Sequence, residues 1–144
     1  METSPSTKLD IYINYPGHCE AAFQFYQDHL GGKIHMMMPH HQPMPAFPES
    51  CKNPILHAII EIGGTVIRGA DIPGAEPMRS AYLTLIFDTT AQAEAIYELL
   101  SQNGEIFMPM EQTPFANRFA MLRDQFGTSW MILHQIAGSN PQGE

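Results

Sequence analysis

"ILHAIIEIGGTVIRGAD", residues 55–71, decides the fold of this chain. Two runs rich in Ile, Val and Ala meet at Gly63-Gly64, and each run alternates in polarity as a strand does. A Gly-Gly pair between two such runs supplies the positive φ angles of a tight hairpin turn. A second stretch, "RFAMLRDQFGTSWMIL" at 118–133, has the same form, and its Gly127-Thr128 lies 63 residues after Gly64-Thr65. One hairpin is a motif, whereas two hairpins in matching surroundings indicate a duplicated unit.

Working outward, "LDIYINY" (9–15) reads as a strand and "GHCEAAFQFYQDHLGG" (17–32) as an amphipathic helix closed by Gly31-Gly32. "KIHMMM" is extended, and residues 39–54, with five prolines, form a long loop before the first hairpin. After the connection "IPGAEPMRS" the order recurs. "AYLTLIFDT" is a strand, "TAQAEAIYELLSQNG" a helix, and "EIFMPM" a strand that leads to the second hairpin. Gly32-Lys33-Ile34 matches Gly104-Glu105-Ile106 at a separation of 72 residues, and Phe25 matches Tyr97 at the same separation. The reading is an α+β fold of two βαβββ modules, residues 8–73 and 80–137, forming a curved mixed sheet around a cavity with helices outside. Residues 1–7 and 138–144 are expected to be disordered.

The chain has 144 residues, 44% of them hydrophobic and 15% charged, which suits one domain with a sizeable core. Seven Lys and Arg stand against fifteen Asp and Glu, for a net charge of −8. An acidic surface repels phosphate backbones and anionic bilayers, so neither nucleic acid nor membrane is an expected partner. No apolar run approaches the length of a membrane span. Cys19 and Cys51 form neither a CxxC pair nor a zinc spacing, which fits free thiols in a cytoplasmic protein.

Two βαβββ modules resemble the vicinal oxygen chelate superfamily of glyoxalase I, extradiol dioxygenases and bleomycin-resistance proteins. Glu20-Ala21 and Phe25-Tyr26 in the first helix, His57-Ala58 in the third strand, and Asp124-Gln-Phe-Gly-Thr-Ser-Trp130 are similar to the PhnB-like branch. Where that branch usually carries Trp before the penultimate strand, this chain has Phe115-Ala116. Its members are often described as methyltransferases, yet no glycine-rich strand-to-helix loop for a nucleotide cofactor occurs here, and no cofactor is expected. The resemblance implies a divalent metal held by the first and last strand of each module, at positions that align with Ile11, Arg68, Tyr82 and Met131. An aliphatic side chain, a permanent cation and a thioether do not suit a hard ion, so the resemblance implies a lost metal site.

"MMMPHHQP" (36–43) offers an alternative source of ligands, with His35 close by. Adjacent His40 and His41 diverge in an extended chain and lack ligand spacing, so the segment reads as a loop whose methionines line an apolar wall. Alternation then assigns the cavity face. It predicts that Arg68, Val66, Ala70, His57, Ile59 and Glu61 face inward, joined by Ile11, Ile13 and Tyr15. From the second module come Tyr82, Thr84, Ile86, Ser129, Met131, Leu133, Leu122, Ala120 and Arg118. The other parity, with Leu83, Leu85, Phe87, Trp130 and Ile132, is expected beneath a helix. Candidate ligand-binding residues are His57, Arg68, Tyr82, Arg118 and Met131, for a small organic molecule of anionic character. Arg68 paired with Glu61 or Asp71, a merely hydrogen-bonded His57, and turn-forming Asp71 and Asp124 are the structural alternatives. Glu111 is a weak candidate base. A metal-dependent glyoxalase-like or dioxygenase-like enzyme is the competing function, no catalytic residue is assigned, and a homodimer is expected.

Overall fold

A computed structural model of the chain describes residues 6–42 and 45–136. The expected disordered ends fall outside these residues, apart from Ser6 and Thr7. The chain divides into two units, Met1–Ala75 and Glu76–Glu144.

In the first unit, β1 (Ile11–Tyr15), α1 (Cys19–His29), β2 (Lys33–Pro39), β3 (Ile55–Ile62) and β4 (Thr65–Asp71) follow in order. Their sheet runs β1-β4-β3-β2, with β1 parallel to β4 and the other pairs antiparallel. Gly63 and Gly64 take φ of 55° and 85°, values that L side chains reach only with strain, and so close the hairpin. Ala58, Ile60 and Ile67 turn one sheet face toward α1, which buries Ala22, Phe23 and Tyr26 in return. The approach is close enough that a Cβ on Gly69 would stand 2.8 Å from Phe23 Cζ. Each large aliphatic side chain buried there contributes about 1.5–3 kcal/mol.

The N-cap residue His18 does not cap α1 with its own side chain. Asp71, 3% exposed at the end of β4, does that work from a distance. Its Oδ1 accepts from the backbone N–H of Gly17 and of Cys19, and its Oδ2 accepts from that of Ile55. One carboxylate thus fastens the helix start and the third strand to the fourth. Its role is wider than the turn the sequence suggests.

The second unit repeats the order with β5 (Leu83–Ile86), α2 (Thr90–Ser101), β6 (Glu105–Thr113), β7 (Ala116–Arg123) and β8 (Ser129–Gln135), in a sheet β5-β8-β7-β6. Here α2 has an ordinary cap, the Thr89 hydroxyl accepting from Gln92 N–H at 3.1 Å. Trp130, Ile132, Ala120 and Leu122 are buried on the α2 side, in register with one another across β7 and β8. Leu83 and Leu85 pair with Trp130 and Ile132, so this apolar layer lies where alternation puts it. The two βαβββ units with mixed four-stranded sheets are the expected α+β fold.

Candidate functional site

Each sheet has a second face, turned away from its helix. In the first unit that face is built around Arg68. Ile59 stands opposite it on β3, as the two-residue turn requires, and His57 and Glu61 share the side. On β1 the side chain in register with Arg68 is Tyr12, and Ile11, Ile13 and Tyr15 pair with Ile67, Gly69 and Asp71. Expected on the Arg68 face, those three belong to the helix face, where Ile13 and Tyr15 are buried. Parallel pairing fixes this register, and nothing within β1 itself reveals it.

Tyr12 is half exposed, and its hydroxyl lies 3.4 Å from His57 Nδ1 with ring centroids 5.8 Å apart. Arg68 Nε donates to Asp10 Oδ2 at 2.9 Å, a partner other than Glu61 or Asp71. Glu61 instead meets His35 Nε2 at 2.9 Å across β2 and β3. The two residues are 26 apart in the sequence and meet only through the pairing of the strands. Met36 and Met38 pair with Ile59 and His57, which sets thioethers beside the imidazole. An aromatic hydroxyl, an imidazole, a guanidinium and apolar side chains therefore occupy one accessible face.

In the second unit Thr84 pairs with Met131, and Met121 flanks Met131 from β7. Tyr82 stands edge-on to Phe107 at 6.3 Å. Arg118 takes the other side. It is in register with His134, which contacts Thr90 of α2, and its Nε donates to Glu94 of α2 at 2.8 Å. Leu122 and Ala120 go with it, against the expected cavity side. The turn explains the reversal, because residues 124–128 between β7 and β8 are odd in number. Asp124 holds that turn, accepting from the N–H of Phe126 and of Thr128 and from Trp130 Nε1. Arg118 instead borders a groove of about 600 Å³ lined by Glu94, Tyr97, Glu98, Met110 and Glu111. Glu111 borders the same groove, and on β6 it stands in register with Phe119 of β7.

The match of a family model decides the chain's affiliation. The model of the Glyoxalase/Bleomycin resistance protein/Dioxygenase superfamily covers residues 8–132. The chain belongs to that superfamily. The Escherichia coli (strain K12) protein YjdN is 27% identical over 137 residues, covering 86% of this chain and 92% of its own. The crystal structure of PA1353 from Pseudomonas aeruginosa is 30% identical, with a TM-score of 0.76 over 90% of this chain and 98% of that one. A PhnB protein from Bacillus cereus, 21% identical, shares the fold at the same TM-score over 89% and 99% of the two chains.

Superfamily membership raises the question of a metal. Register places Tyr12, Arg68, Thr84 and Met131 on the faces away from the helices, and so replaces Ile11 by Tyr12 and Tyr82 by Thr84 at the aligned positions. The revised set contains neither imidazole nor carboxylate, and Arg68 brings a permanent positive charge. These residues do not fit a divalent ion. Among the described residues no three His, Cys, Asp or Glu side chains gather as a metal would need. His40 and His41 leave β2 as the chain enters the loop, and His40 Nε2 is buried without a hydrogen-bond partner beside Phe47. Pro43 of the same motif lies outside the described residues.

The sequence reading missed Tyr12. The 72-residue offset that relates Gly32 to Gly104 also relates Tyr12 to Thr84, and would have found it.

Proposed function

We propose that this superfamily member is a PhnB-like protein that binds a small organic molecule, of anionic character, without the superfamily's metal. The observation that carries the reading is the face formed by Tyr12, His57, Ile59 and Arg68. It offers a hydroxyl, an imidazole and a guanidinium over an apolar floor, the mixture by which small-molecule sites orient and bury a ligand. Arg68 is neutralised by exposed Asp10, a contact that a ligand carboxylate or phosphate can replace. The branch assignment is supported by the Asp124–Trp130 motif and by the Bacillus cereus PhnB fold. Tyr82 and Met131 are proposed as ligand contacts of the second unit taken by itself. Arg118, paired with Glu94, is the least supported member of the original set.

We propose further that the working form is a homodimer, because Tyr12, Met36, Met38 and Val66 leave apolar area exposed on the same sheet. The test of binding is a thermal-shift screen of carboxylates, phosphates, neutral aromatics and cationic glycopeptides, repeated on His57→Ala and Arg68→Ala. Stabilisation by an anion that both variants weaken is expected. Larger shifts from cationic or neutral compounds, or unchanged binding by both variants, would overturn the reading.

A further inference from the structure

Phe107 on β6 has two guanidinium groups over its ring. The Cζ of Arg79 is 4.7 Å from the ring centroid and that of Arg123 is 5.5 Å away. The chain has only seven Lys and Arg, so two on one ring concentrate scarce positive charge. Arg123 is partly neutralised, since its Nη2 donates to Glu105 Oε1 at 3.0 Å. Arg79 is exposed and forms no ion pair among the described residues.

The segment carrying Arg79 is tied down at the residue before it. Met78 N–H donates to Gly127 O at 2.8 Å, and Met78 O accepts from Arg123 Nη1 and from Ser129 Oγ. Ser80 takes φ of 63°, a left-handed conformation that costs a residue with a side chain about 1 kcal/mol or more. The left-handed turn and these ties set the backbone on either side of Arg79, whose guanidinium lies over Phe107. Two guanidinium groups and the one carboxylate paired with Arg123 leave a net positive charge, and the edge-on Tyr82 ring flanks the same platform.

We propose that Arg79, Arg123 and Phe107 form an oxyanion site, taking the carboxylate or phosphate group of a small molecule. The guanidinium forks supply the donors, and the ring holds them in place through cation–π attraction. The site lies wholly within the second unit and does not depend on the Tyr12–Arg68 face.

The test is NMR titration of isotope-labelled full-length protein with inorganic phosphate and with benzoate, against sodium chloride at equal ionic strength. Saturable shifts of the Arg79, Ser80, Phe107 and Arg123 amides are expected with at least one of the two, and the stronger identifies the headgroup. Arg79→Ala should weaken that binding by about tenfold, the loss expected for a charge-assisted contact. Arg68→Ala, in the other unit, should leave it unchanged, so that loss of the proposed ligand face and loss of this site are read separately. No saturable shift with either anion, equal shifts with chloride, or unaltered binding in Arg79→Ala would overturn the proposal.

Discussion

Asp124 is the acceptor for three donors, two of them buried, one of these the indole N–H of Trp130 at 2.8 Å. Because unmet buried donors cost more than the bonds contribute when made, Asp124→Ala should destabilise by about 3 kcal/mol or more. Urea unfolding monitored by Trp130 fluorescence would measure it. The thiols give a second residue-scale prediction. Burial raises the pKa of Cys19, with the charges of Asp71 and Glu20 adding to it, and raises that of Cys51 less completely because more of it is exposed. A raised thiol pKa keeps the reactive thiolate scarce. Mass spectrometry after mild alkylation at neutral pH should therefore find label on Cys51 and none on Cys19 until the protein unfolds. At this scale Trp130 was legible as core, since its same-face neighbours are all apolar. Tyr12 was not, since a half-exposed tyrosine in a strand has no distinguishing mark.

The elements themselves were readable because alternation and turn residues are local properties. Among the described residues, the eight strands and two helices lie where polarity and glycine placement put them. Faces were readable only where register was. Gly63-Gly64 specifies a two-residue turn, and from it Ile59 opposite Arg68 follows directly. The Asp124–Thr128 turn has no such signature, and its odd length moves Arg118, Ala120 and Leu122 to the helix side. The parallel β1–β4 register depends on a contact between distant segments, so Ile11 and Ile13 were misplaced for the same reason. Helix and sheet approach most closely at Gly69, where an added Cβ would meet Phe23 at 2.8 Å and Ile13 O at 3.1 Å. Gly69→Ala should cost about 1–3 kcal/mol through this overpacking, measurable as a lower denaturation midpoint with unchanged cooperativity.

At the scale of the molecule, the repeat of 72 residues and the two matched hairpins carry the superfamily assignment, which the family model bears out over residues 8–132. What the superfamily fold usually surrounds is a different matter, fixed by single residues. No helix among the described residues is long and apolar enough to cross a membrane. Light scattering at micromolar concentration should give twice the 16.1 kDa chain mass if the proposed homodimer forms, and the monomer mass would remove it. The central claim is that Tyr12, Arg68, Thr84 and Met131 leave no place for a divalent ion in the superfamily position. Elemental analysis of protein purified without a polyhistidine tag tests it most directly. The account predicts no stoichiometric zinc, nickel, manganese or iron; about one equivalent per chain that survives mild chelation would contradict it.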